Sequence, residues 1–172
     1  MQKGHDDRAM DKTGVVASKR SAGILLFRRR SGQLEVLLGH MGGPFWARKD
    51  DGAWSIPKGE IDPDEDQLAA ARREFAEELG LAVPDGKLIE LGEIKQSGGK
   101  FVTAWALEAD LDPERVVTGT FEMEWPPKSG KRASFPELDR VEWLGSAAAA
   151  TKIVTGQREF LKRLAEHEIM NS

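Results

Sequence analysis

The sequence predicts an α/β protein, a sheet sandwiched between helices, and three observations predict it. Apolar runs of strand length, bounded by turn residues, recur on both sides of one long amphipathic stretch. That stretch, residues 59–81, reads as a helix in its second half. A further helical pattern closes the chain over 157–169. With 172 residues there is room for one domain and a substantial core.

Composition narrows the function. The net charge of −4 offers no general attraction to nucleic acid or to a membrane surface. The absence of cysteine excludes a disulfide framework, a thiolate zinc site and a cysteine nucleophile. The longest early apolar run, residues 22–27, is too short for a signal sequence or a membrane span. A soluble cytoplasmic protein is expected.

Residues 1–18 are polar, interrupted by Gly4 and Gly14, and are expected to form a mobile tail. His5 lies there and is given no metal role. The expected domain runs from 19 to 168. It opens with an apolar strand ending in Arg28, Arg29 and Arg30, a turn at Ser31-Gly32-Gln33 and a second strand over 34–38. The arginines suit a solvated hairpin end that discourages edge pairing. They would equally suit contact with a phosphate or a base.

Residues 40–51 form a glycine-rich loop with Pro44, Phe45 and Trp46 in a row beside Arg48 and Lys49. The aromatic pair admits two readings: a platform for a base with a phosphate contact, or a clasp onto the core. His40 reads as structural. Trp54 to Gly59 is a short strand leading into the amphipathic stretch.

In that stretch Leu68, Ala71, Phe75 and Leu79 form an apolar stripe at helical spacing. Asp62 or Asp64 is expected to cap the start, with Pro63 at a first helical position, and Gly80 to stop it. Glu74, Glu77 and Glu78 crowd the C-terminal end of this helix, where the macrodipole disfavours negative charge. Each like-charged i,i+3 or i,i+4 pair costs about 0.2–0.5 kcal/mol. Stability alone would not place them there. A hard divalent cation between the carboxylates would account for them, with Arg73, one turn before Glu77, orienting a ligand carboxylate.

Further on, residues 87–96 and 100–109 flank a hairpin turn at Ser97-Gly98-Gly99. A strand is expected within 116–125, then a basic loop over 128–132, and a strand within 135–144. Ser146 is expected to cap a helix reaching 154. The final helix would bury Phe160, Leu161, Leu164 and Ile169 on the other face of the sheet.

The acidic stretch resembles the Nudix box, G-x5-E-x7-R-E-U-x-E-E-x-G-U with U a bulky apolar residue. Gly59, Glu65, Arg73, Glu74, Phe75, Glu77, Glu78, Gly80 and Leu81 occupy every specified slot. Phe75 is aromatic where an aliphatic residue is usual. The resemblance implies a Nudix α/β/α sandwich with a mixed sheet. It implies hydrolysis of a phosphoanhydride in a nucleoside diphosphate linked to another group, dependent on Mg²⁺, for which Mn²⁺ would substitute. Glu74, Glu77 and Glu78, with a backbone carbonyl near Gly59, would be the metal ligands. Glu78 or Glu137, which stands six residues before Trp143, would take the proton of the attacking water. Arg73 would brace the carboxylates, and Glu65 would orient the helix and its loop.

The lead-in W-S-I-P-K-G looks like that of the MutT-like branches acting on dinucleoside polyphosphates and nucleoside triphosphates, oxidised ones included. It makes Lys58 the foremost substrate contact, with Arg28 and Arg48 behind it. The proline of the ADP-ribose branch is missing, Lys95 and Gln96 standing in that region, and isopentenyl diphosphate isomerisation would need a cysteine. A nucleotide-binding regulator without catalysis, an inositol pyrophosphate hydrolase and an RNA-end hydrolase remain as other readings. The expected partner is a small nucleotide, with neither DNA nor membrane. The sequence does not determine an oligomeric state.

Overall fold

The structure, a computed structural model, describes residues 19–171; the tail expected over 1–18, with His5, lies outside them. In chain order the elements are β1 Arg20–Arg30, β2 Gln33–Met41, β3 Trp54–Ser55, β4 Lys58–Glu60, α1 Gln67–Leu79, β5 Leu88–Gln96 and β6 Lys100–Glu108. There follow β7 Thr120–Glu124, β8 Arg132–Pro136, β9 Leu138–Gly145, α2 Ser146–Lys152 and α3 Arg158–Met170.

β1 is the spine of a mixed sheet. It runs parallel to β6 from Arg20↔Phe101 to Phe27↔Glu108, and antiparallel to β2 and β4. Successive side chains of a strand point to opposite faces. Ala22, Ile24 and Leu26 therefore pack against Ala70, Ala71, Phe75 and Leu79 of α1. Leu25 and Phe27 turn the other way, toward Ala149 of α2 and Phe160 and Leu164 of α3. Covered on both sides, β1 reads as one continuous apolar run instead of an alternating one. The expected α/β sandwich with a mixed sheet is what the chain forms. Phe75, in the aliphatic slot of the box, is fully buried; truncating such a side chain to alanine costs about 3–5 kcal/mol.

Ser31 and Gly32 both take positive φ, 53° and 77°, the two-residue turn that matches the twist of a hairpin. Beyond it β1 and β2 diverge. β1 pairs with β2 through Phe27–Arg30 and with β4 through Ser21–Gly23, while β2 pairs with β3 through Gly39 and His40. The short strands β3 and β4 fill the wedge, which sets Lys58 and Gly59 at the mouth of the sheet under α1.

Four expectations need correction. α1 starts later than predicted: Asp66, not Asp62 or Asp64, is its cap, accepting a hydrogen bond from the Ala69 N–H at 3.0 Å. The Glu65 carboxylate instead accepts from the Asp62 N–H at 2.9 Å and folds the preceding loop back. Ser146 is the first residue of α2 and caps nothing. Ile169, in the last turn of α3, is 75% exposed and not on the buried side. The strand expected within 116–125 leaves the main sheet and pairs with β8 as a separate two-stranded ribbon. Gly80 stops α1 as predicted, in the left-handed region at φ 68°. Among the described residues no helix is long and apolar enough to cross a membrane.

Candidate active site

α1 presents its carboxylates in two different settings. Arg73, at mid-helix, forks onto Glu65: its Nε donates to one carboxylate oxygen and its Nη2 to the other, both at 2.9 Å. The same guanidinium reaches the Glu74 carboxylate at 2.7 Å, Glu77 at 3.3 Å and the Glu60 carbonyl at 3.0 Å. A planar group with five donors is suited to this, and a lysine would not be. The Arg73 hydrogen bonds, with that of the Asp62 N–H, hold the Glu65 carboxyl down at about 2. Glu65 and Arg73 together tie the loop before α1 to the helix and to β4.

The inner side of the helix is different. Glu74, Glu78 and Glu137 line a cavity of about 450 Å³ with Lys19, Ser21, Lys58, Gly59 and Lys100. Burial pushes the Glu78 carboxyl up to about 8, against the pull of Lys58 and its backbone N–H, which donates to Glu78 at 3.3 Å. Neighbouring Glu137 and Glu74 push it the same way. Burial also raises Glu74, partly offset by Arg73, and raises Glu137. Lys58 is lowered by burial, with Glu78 acting in the opposite sense. Desolvation disfavours the charged form of each group. The cavity thus gathers hard oxygen donors whose charged forms burial disfavours, with lysines on the same walls.

The backbone fixes this geometry. Gly59 of β4 pairs with Ala22 of β1, and a Cβ on it would overlap the Glu74 carboxylate, so the carboxylate can keep this place against the strand only over glycine. Glu137 is the single residue between β8 and β9. Its N–H donates to the Gly119 carbonyl at 2.8 Å and its carbonyl accepts from Gly42 at 3.0 Å, which pins the carboxylate's attachment from two sides.

Of the residues singled out from sequence, Lys58, Gly59, Glu74, Glu78 and Glu137 meet at this cavity, and Arg73 and Glu65 brace it. Glu77 is more exposed and lies against Arg73, outside the lining. Arg28 is not brought there. It stands seven residues along β1 from Ser21, about 23 Å at the strand rise. It is held by Glu35 and Asp110 at 2.8 Å each and stacks 4.2 Å over the Trp143 ring. Arg48 is exposed on the loop after Trp46 and does not line this cavity. His40 is fully buried against Asp139 and the Lys49 carbonyl, a structural place.

Lys19, Ser21 and Lys100 were not anticipated. Lys100 begins β6, which is set beside β1 by a parallel pairing of strands far apart in sequence. The hairpin signal at 97–99 places a strand start at Lys100 but not its neighbour.

A family model described as NUDIX domain matches residues 17–164. Among curated proteins the chain is similar to an octanoyltransferase of Myxococcus xanthus, 32% identical over 113 residues, which are 65% of this chain and 28% of that protein. The chain thus spans little more than a quarter of that relative's length. Among solved structures it is similar to a C. elegans Ap4A hydrolase in a binary complex, with a TM-score of 0.63 and 22% identity over 88% of this chain and 98% of that one. It is also similar to the NUDIX domain of Shewanella oneidensis NrtR complexed with ADP ribose, with a TM-score of 0.62 and 18% identity over 92% and 93% of the two chains. At these identities the structures speak for the fold.

Proposed function

The chain belongs to the Nudix family, and on that premise we propose that it is a Mg²⁺-dependent hydrolase of a phosphoanhydride bond in a small nucleotide, a dinucleoside polyphosphate or a nucleoside triphosphate. The observation that carries this is the cavity in which Glu74, Glu78 and Glu137 share walls with Lys19, Lys58 and Lys100. Carboxylates and ammonium groups at one mouth match a polyphosphate that arrives with its cations. The similarity to an Ap4A hydrolase supports the same substrate class, and the acidic chain gives no reason to add DNA.

The residues fit a divalent cation by the chemistry of their donors. Three carboxylates raised by burial, Glu74 and Glu78 also by their acidic neighbours, are hard ligands whose charged forms a cation would favour. Among the described residues no three acidic or imidazole groups are gathered tightly enough to enclose an ion as they stand. Binding would therefore draw Glu74 and Glu137 toward Glu78. When bound, such a cation neutralises phosphate charge and lowers the pKa of water.

The chain's own residues do the rest. Lys58 and Lys100, on the walls of the same cavity, hold phosphate oxygens. Arg73 keeps Glu74 turned toward the cavity. Water attacks one phosphorus, the bridging P–O bond breaks, and the water proton passes to Glu78 or Glu137. Glu78 accepts a proton only in its charged form, which is favoured once positive charge lies beside it. Positioning and charge neutralisation of this kind carry most of the catalysis of phosphoryl transfer.

The test is chromatographic product analysis with Mg²⁺ against diadenosine polyphosphates, normal and oxidised nucleoside triphosphates, ADP-ribose, NADH and inositol pyrophosphates. The Glu77→Gln/Glu78→Gln variant serves as the blank. Cleavage of a nucleoside polyphosphate that disappears in the variant is the expected result. Equal activity in the variant, or none in the wild type, overturns the proposal.

A further inference from the structure

The loop after β2 and the far end of the β7–β8 ribbon are distant in sequence, and the fold joins them. Phe45 meets Trp125 edge to face, with ring centroids 5.6 Å apart and planes at 84°. The Phe121 ring closes over Gly43, where a Cβ would come within 2.9 Å of it. The surface so made has a composition unlike the rest of the chain. Residues 44–49 (PFWARK) and 125–132 (WPPKSGKR) hold five cations, three aromatic rings and no carboxylate. The net charge of −4 belongs to the whole chain and does not describe this face.

The cations here are largely uncommitted. Arg48, Lys128 and Lys131 are exposed and have no acidic partner among the described residues. Arg132 has Glu122 at 3.8 Å, and Lys49 lies over the Trp46 ring at 5.2 Å. The adjoining Glu124 is turned into the loop, where it accepts from the Gly130 N–H at 2.8 Å. Two further features run against stability. Phe45 is the one exposed aromatic ring among the described residues, 60% open to water, and forgoes the burial its size would reward. Lys128 is held at φ 62°, in the left-handed region where glycine costs least.

We propose that this face binds a single strand of nucleic acid, with Phe45 stacking one base and Arg48, Lys128 and Lys131 holding the phosphates beside it. Open aromatic faces among cations fit a strand whose bases are uncovered. A duplex keeps its base faces inside the stack, and an acidic peptide offers charge without flat rings. The face is separate from the acidic cavity. Arg132 precedes Glu137 by five residues along β8, about 16 Å at the strand rise. The inference therefore goes beyond the cleavage of a small nucleotide and does not depend on it.

The experiment is fluorescence anisotropy of labelled 12-nucleotide single strands, one RNA and one DNA of the same sequence, titrated with the whole chain without Mg²⁺. Binding is expected to weaken as salt rises from about 50 to 200 mM. Lys128→Ala/Lys131→Ala should weaken it about tenfold and reduce the slope of log affinity against log salt by about 1.4, two phosphate contacts at about 0.7 each. Phe45→Ala, at an exposed position, should weaken it about tenfold and leave the slope unchanged. The tighter of RNA and DNA identifies the source of the strand. Absence of binding to both overturns the inference. So does a duplex of the same sequence bound as tightly as the single strand, polyglutamate that competes as well as the unlabelled strand, or undiminished binding by the folded Lys128→Ala/Lys131→Ala variant. The Glu77→Gln/Glu78→Gln variant should bind the strand like the wild type. Strand binding without cleavage of any nucleotide leaves this surface standing and removes the hydrolase; cleavage without strand binding does the reverse.

Discussion

Glu65 and Glu78 belong to the same motif, thirteen residues apart, and the fold treats them in opposite ways. Glu65 sits outside the mouth, gripped by both arms of Arg73 and by a backbone N–H, and its carboxyl is held down at about 2. Glu78 sits within it, desolvated, beside a lysine whose own charge burial disfavours, and its carboxyl is pushed up to about 8. One is a satisfied anion that fastens a loop to a helix. The other is a carboxyl that burial holds toward its neutral form and that a cation would turn into an anion. A motif written as a row of like residues therefore divides into a clamp and a reactive centre, and neighbours decide which is which.

The largest effect should come from filling the space on which the reactive side depends. Gly59→Val would drive its side chain into the Glu74 carboxylate. Mg²⁺-dependent turnover is expected to fall by about 10²–10³-fold, since misplacing a catalytic group by about 1 Å costs 10²-fold. Turnover within a few-fold of wild type would show that Glu74 need not lie against β4.

Attacking the clamp should instead appear in stability. Arg73→Ala removes the fork on Glu65 and the bond to Glu74. The guanidinium is partly exposed, and after allowance for solvent screening a loss of about 2 kcal/mol in urea unfolding is expected. Arg73→Lys should recover little of it, because an ammonium cannot grip both carboxylate oxygens in the same plane. Full recovery would mean that charge alone matters.

The smallest effect sharpens the comparison through pH. Glu78, Glu74 and Glu137 are raised in the folded state, so the fold binds their protons more tightly than the unfolded chain does. Their contribution is present below the ordinary carboxyl value of 4.5 and is lost as pH rises through about 8 for Glu78. Glu65 is depressed, so its contribution is present above 4.5 and is lost as pH falls toward 2. Metal-free protein should melt highest in mildly acidic solution and lose several degrees between pH 5 and 8. Saturating Mg²⁺ should flatten that decline by favouring the charged forms. A metal-free melting temperature that is level from pH 5 to 8 would contradict the raised carboxyls.

Much of this was legible in the sequence because it is local. Helical spacing brings Arg73, Glu74, Glu77 and Glu78 together without knowledge of the fold, and the β1–β2 hairpin follows from its turn. What was hidden depends on pairings between distant segments. Lys100 reaches the acidic cavity because β6 runs parallel to β1, a neighbour no local pattern announces. Arg28 could be placed on a strand, but its capture by Glu35, Asp110 and Trp143 came only with the packing. The start of α1 was misplaced because Asp62, Asp64 and Asp66 are all competent caps. The choice fell to Asp66 once Glu65 was taken by Arg73 and the Asp62 N–H.

The division of labour between Glu65 and Glu78 is tested most directly by measuring turnover and melting temperature together for two isosteric variants, Glu65→Gln and Glu78→Gln. Glu78→Gln is expected to lose about 10³-fold in Mg²⁺-dependent turnover. Its metal-free melting temperature should be no lower than that of the wild type at pH 8. Glu65→Gln is expected to melt lower and, when folded, to keep turnover within about tenfold. The reverse pattern, a stable but inactive Glu65→Gln beside an unstable but active Glu78→Gln, would contradict the account.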